Sequence, residues 1–306
     1  MSDINAPNLQ SLQLIKVELE NGYHEKTSTH TGVTTKIWVE EQKHHRDDGP
    51  AIIEIDHNDN TISEEWYLNG KLGRHDDGPT ITAYDEGVKV EEIWQTGKIR
   101  HRKNGPAYIM TDSGTGEVRH ESWYENGKLH RETGPAVIDY DGVVVTRESW
   151  YLDDKLHREN GPASIFRDAK TGDMKYQGWF INGSPHRDDG AAISSFFDGY
   201  YEEKYSKYKT NDGKSWGEVL ESLNGGEPYF PENLNVWFEE YWVNGRLHRE
   251  GSPSVMIYDK KTGKAYFEKW YNNGKLHREC GEAWIVRDIN TLQVIEKKSY
   301  LKGRRA

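Results

Sequence analysis

Cysteine occurs once, at position 280. No disulfide can close within the chain, and that usage suits a reducing compartment. Apolar residues make up only 34% of the 306 positions, against the ~45–50% usual for globular chains when glycine is counted with them. No apolar run approaches the ~20 residues a membrane helix needs. The opening "MSDINAPNLQ" has neither the basic nor the apolar region of a secretory signal. Positive charge is also short: 40 Lys and Arg against 51 Asp and Glu give a net charge of −11. Counterion release on nucleic acid or an anionic membrane needs the opposite balance, so neither is expected as a partner. The phosphate-binding, dinucleotide-binding and zinc motifs GxxxxGK, GxGxxG, HExxH and CxxC do not occur. The expectation is a soluble cytoplasmic protein without cofactor or metal.

Aromatic residues, by contrast, reach 12%, with 11 Trp and 18 Tyr. Disordered chains are poor in aromatics, so the composition points to a thin folded structure with much surface. The aromatics recur in order. "WYENGKLHRETGPA" at 123–136 returns as "WYLDDKLHRENGPA" at 150–163 and "WYNNGKLHRECGEA" at 270–283. An aromatic residue stands eight positions before an Arg in Trp38/Arg46, Trp66/Arg74, Trp94/Arg102, Trp123/Arg131, Trp150/Arg158, Trp179/Arg187, Tyr241/Arg249 and Trp270/Arg278. The period is about 28 residues, with one step of 62 between Arg187 and Arg249 that reads as a degenerate repeat plus a small insertion.

Each unit carries two turn signals. Asn-Gly, as at 126–127, suits a type I′ hairpin turn, which needs positive φ at both central residues. A second Gly turn follows about half a period later, at 141–142 or 171–172. Strand-like stretches such as "AVIDY" separate them. The expected fold is all-β: an elongated antiparallel meander of about nine to ten hairpin repeats, with one short helix in an insertion. The expected divisions are a capping hairpin over 1–33, repeats over 34–198, a degenerate repeat with the helical insertion over 199–240, and C-terminal repeats over 241–306.

A two-residue turn at Asn126-Gly127 sets Glu125 opposite Lys128, Tyr124 opposite Leu129 and Trp123 opposite His130. Alternation along strands then predicts Trp with His on one face and Tyr, Leu and Arg on the other. Equivalent His residues two strands apart lie ~10 Å from one another, too far to share a zinc whose ligands sit at ~2.0–2.3 Å. If each unit were instead one solenoid coil, they would stack at ~4.8 Å. A motif present eight times is in any case not one asymmetric catalytic constellation.

These residues resemble the MORN-variant repeats, whose units read aromatic-x-x-Asn-Gly-Lys. The longer "LHR..GPA" form is similar to repeat proteins of large DNA viruses, phages and some bacteria, certain of which are described as antitoxin-like. The resemblance covers roughly 34–198 and 238–305. It implies a single-layered or weakly curled meander and a non-enzymatic binding or scaffolding role. If the chain is viral, the cytoplasm is that of the host.

The pattern breaks near 199–240. There "SWGEVLESLNGG" reads as a helix with Ser215 and Glu218 as a capping box and Trp216, Val219, Leu220 and Leu223 on one face. Tyr200, Tyr201, Tyr205, Tyr208, Trp216, Leu220, Tyr229 and Phe230 are the candidate partner-binding residues, because aromatics are enriched in interface cores. Burial of the helix on the sheet is the competing use of that face. The functional expectation is a protein-interaction or scaffold module, in one form a viral or phage inhibitor of a host defence protein. A protein partner is expected, together with possible self-association through sheet edges. A virion structural protein and a carbohydrate-binding β-repeat are the alternatives. An enzyme would require one concave pocket with shifted carboxylates.

Overall fold

The computed structural model describes residues 20–196, 236–288 and 291–306. Among them the secondary structure is strand and turn, with no helix. The chain divides into two units, Met1–Glu117 and Val118–Ala306. Nineteen of the strands form antiparallel meander ladders.

Each repeat builds two kinds of hairpin. The long one closes at the second turn. Val137–Asp141 pairs with Val144–Ser149 around Asp141-Gly142, and Ser164–Arg167 pairs with Met174–Gly178. In the longer turns an Asp carboxylate gathers backbone N–H groups, as Asp168 does from Lys170 and Thr171 at 2.9 Å each. Six of these hairpins carry a register shift at one equivalent place, where the strand before the aromatic residue holds one extra residue.

The short hairpin is a ribbon of two residues per strand. Tyr124 faces Leu129 and Glu125 faces Lys128, as the Asn-Gly turn predicts. Asn126 and Gly127 both have positive φ, 50° and 83°. The same turn survives where the sequence departs from Asn-Gly: Asp153 and Asp154 have φ of 48° and 64°, Glu41 and Gln42 of 47° and 59°. Apart from the first, at Glu41-Gln42, which continues the strand Thr34–Glu40 of the ladder, these ribbons are separate two-stranded sheets. Trp at their start and Gly-Pro-Ala after their end break the strands, since Pro has no N–H for a ladder.

The two layers are tied together at the Ala that ends Gly-Pro-Ala. Trp123 N–H donates to Ala136 O at 2.8 Å and Ala136 N–H donates to Ser149 O at 2.8 Å. Ala51, Ala107, Ala136, Ala163, Ala192 and Ala283 are completely buried, so only a small side chain fits that crossing. In the second unit the core lies between ladder and ribbons. Val236, Phe238, Val255, Ile257 and Phe267 from strands meet Leu247 and Tyr271 from ribbons.

Among the described residues the ladder and the ribbons continue directly across the 62-residue step, and the degenerate repeat expected over 199–240 lies mostly outside them. Ile193–Phe196 pairs directly with Val236–Glu240, Ile193 opposite Glu240 and Phe196 opposite Trp237. The ribbons agree: Arg187 N–H donates to Trp242 O and Gly245 N–H to Pro185 O, both at 3.0 Å. The strands on either side of 197–235 are thus neighbours in the ladder. The expected helix and all eight candidate partner-binding residues, Tyr200 to Phe230, lie outside the described residues.

Candidate functional site

The repeated Trp, His and Arg form a structural joint. Strand alternation put Arg beside Tyr and Leu, but the structure lays it on the aromatic ring. The guanidinium carbon sits 3.7–4.2 Å from the ring centroid in all eight pairs. The ribbon strand ends at Leu129, one residue before His130, so alternation no longer governs the Arg two positions on. Arg Nη1 also donates to the carbonyl that precedes the buried Ala, as Arg131 does to Pro135 O at 3.0 Å and Arg158 to Pro162 O at 3.2 Å. Because the acceptor is backbone, Ala191 and Glu282 replace Pro without loss of the bond. The Gly of Gly-Pro-Ala leaves room for the guanidinium, although Ser252 stands at the same place beside Arg249 and keeps both the stack and the carbonyl bond. A Cβ at Gly161 would stand 2.9 Å from the Arg158 guanidinium carbon, and one at Gly134 3.1 Å from that of Arg131.

His links one repeat to the next. Its Nδ1 accepts the N–H of the first turn residue in the following ribbon: Asn69 to His45 at 3.1 Å, Asn182 to His157 at 3.1 Å, Asn244 to His186 at 3.3 Å and Lys302 to His277 at 3.2 Å. His75 differs, since Gly73 takes its place and it meets Asp47 instead. Among the described residues no group of three or more His, Cys, Asp or Glu is placed to hold a metal ion.

Acidic residues just before the aromatic position fall on alternate faces of the ladder. Glu64, Glu121 and Glu239 each accept a hydroxyl bond from a Tyr on the neighbouring strand, Tyr84, Tyr140 and Tyr258, at 2.7–2.9 Å. Burial and the adjacent carboxylate push Tyr84 up to about 12. Glu240, one residue past Glu239, faces the other way and accepts Trp242 Nε1–H at 2.8 Å. Burial pushes Glu240 up to about 7, against opposing pulls from that bond and from Lys269. Glu239 and Glu240 thus lie on opposite faces of the strand and cannot flank one bond together. Lys269 is 1% exposed, with its ammonium 4.2 Å from the Trp284 ring centroid.

One constellation stands outside the repeat logic. His120 and Ser122 share a face of Val118–Ser122, and Asp139 lies opposite His120 on the next strand. His120 Nδ1 is 2.5 Å from Asp139 Oδ1, and His120 Nε2 is 3.2 Å from Ser122 Oγ. Arg147, the next residue across, reaches Asp139 Oδ2 at 3.5 Å and Ser149 Oγ at 3.3 Å. Sequence reading missed this group. The "HES" at 120–122 was visible, but the register that brings Asp139 across depends on the ribbon lying outside the ladder.

Comparison with known proteins adds little. No family model matches the chain, and no curated protein matches it. Among solved structures, an alternansucrase in complex with isomaltononaose aligns at 13% identity with a TM-score of 0.16. That alignment covers 93% of this chain and 16% of the enzyme chain, and a score so low carries no inference about fold or function.

Proposed function

We propose that the chain is a non-enzymatic protein-interaction and scaffold module, built of MORN-like β-hairpin repeats, whose partner specificity resides in the 197–235 insertion. One observation carries the reading. The ladder passes directly from Ile193–Phe196 to Val236–Glu240, so repeat closure does not require the aromatic residues inserted between them. Insertions at one loop of a repeat array commonly serve binding. The repeat aromatics are committed elsewhere, because each of the eight rings has a guanidinium over one face. That commitment counts against sugar stacking on a row of indoles. In its narrowest form the proposal is a viral or phage protein that acts on a host protein in the host cytoplasm.

The test is quantitative affinity capture from host lysate with wild type and with a Trp216→Ala/Leu220→Ala double variant, after circular dichroism shows the variant folded. A specific protein captured by wild type and lost by the variant supports the reading. Equal capture moves the binding surface to the repeats. Failure of both to capture any protein sinks the interaction reading, and a glycan array then tests the carbohydrate alternative.

A further inference from the structure

We propose that Ser122 is an activated nucleophile, with His120 as its base and Asp139 as the positioning residue, able to react with small activated acyl esters. The proposal adds an activity to the scaffold reading and replaces its non-enzymatic part, while the partner surface proposed at 197–235 is tested separately by capture. The proton assignment follows from hydrogen-bond chemistry. An ionised carboxylate only accepts, so the short contact to Asp139 Oδ1 places the proton on His120 Nδ1. In the neutral imidazole Nε2 is then the acceptor, and the Ser122 hydroxyl donates to it at 3.2 Å. That is the order nucleophile, base, orienting carboxylate that acyl transfer requires. Arg147 on the far oxygen of Asp139 favours the carboxylate form.

The molecule contains its own comparison. Ser149 occupies the position equivalent to Ser122, immediately before the repeat Trp, and its neighbour two residues back is Arg147 instead of His. Arg147 Nε donates to Ser149 Oγ at 3.3 Å. A guanidinium has no acceptor nitrogen, so Ser149 has the same setting without a base. Elsewhere this place in the repeat holds Ser63, Glu91, Tyr176, Phe238 or Phe267, so the fold does not demand His there.

Access sets the substrate class. Ser122 is 2% exposed, while the side chains of His120 and Asp139 are 24% and 30% exposed. A reagent therefore approaches over the imidazole, and only a small acyl group reaches the hydroxyl. Ser122 Oγ attacks the acyl carbon as His120 Nε2 takes the hydroxyl proton. The imidazolium returns that proton to the departing alkoxide, leaving acyl-Ser122 and the alcohol. Water attacks the acyl-serine by the same route in reverse, releasing the carboxylic acid and restoring the hydroxyl.

The experiment treats the full chain with a small alkyl fluorophosphonate, which phosphonylates activated serines with loss of fluoride, and maps the site by peptide mass spectrometry. The expected result is stoichiometric labelling at Ser122 and none at Ser149. The rate should fall at least 100-fold in His120→Gln, with Asp139→Asn altering the pH profile. Thermal melts establish that each variant is folded. Mapping on wild type needs no variant: absence of label at Ser122, or equal labelling of Ser149, overturns the proposal.

Discussion

A guanidinium stacked on an indole stabilises a fold only if it is held there. Here the backbone carbonyl before the buried Ala holds it, and in most repeats a Gly leaves it room. Cation–π attraction at partly exposed sites contributes ~0.5–2 kcal/mol, and the bond to the carbonyl about 1 kcal/mol more. Gly161→Ala places a methyl 2.9 Å from the Arg158 guanidinium carbon and should cost about 1–3 kcal/mol in urea unfolding. In an Arg158→Ala background most of that cost should vanish, because the clashing atoms are gone. Glu240 gives a second prediction. Its folded value is raised from 4.5 to about 7, so the fold favours the protonated acid. That contribution is full below about pH 4.5 and is lost as pH rises through 7. At ~1.4 kcal/mol per unit, it amounts to at most about 3 kcal/mol. Glu240→Gln keeps an acceptor for Trp242 and should flatten the fall in stability between pH 5 and pH 8. An unchanged slope would assign the fall to another group.

At the scale of elements, the ribbons were legible because Asn-Gly specifies a turn, and a turn specifies a register. Tyr124 opposite Leu129 followed from two residues. The Arg position was not legible, because strand alternation was carried two residues past the point where the strand stops. Nor was the register of the long ladder, which an extra residue shifts in six of its hairpins. Turn chemistry also marks where the fold is strained. Gln42 adopts φ of 59°, which costs a side-chain-bearing residue ~1 kcal/mol. Gln42→Gly should therefore stabilise the first unit by a few tenths to 1 kcal/mol in thermal unfolding. The His joint makes a prediction of opposite sign. Removing the acceptor in His45→Ala should speed hydrogen exchange at the Asn69 amide, which donates to it at 3.1 Å.

Across the whole molecule, the repeat itself was legible from spacing. The meaning of its one long step was not, because 62 is so nearly two periods. Strand pairing shows that the ladder crosses the step without a gap, with Ile193 opposite Glu240. The repeats form the frame, and the proposal places partner binding in residues 197–235. The most direct measurement deletes 197–235 and closes the gap with a tight turn of the kind at 168–172. The account predicts that this chain melts cooperatively near the wild-type temperature. It also predicts unchanged hydrogen-exchange protection at Asn244, whose amide donates to His186, and loss of the captured partner. A deletion chain that fails to fold, or loses protection at Asn244, would contradict it and show that the segment belongs to the frame.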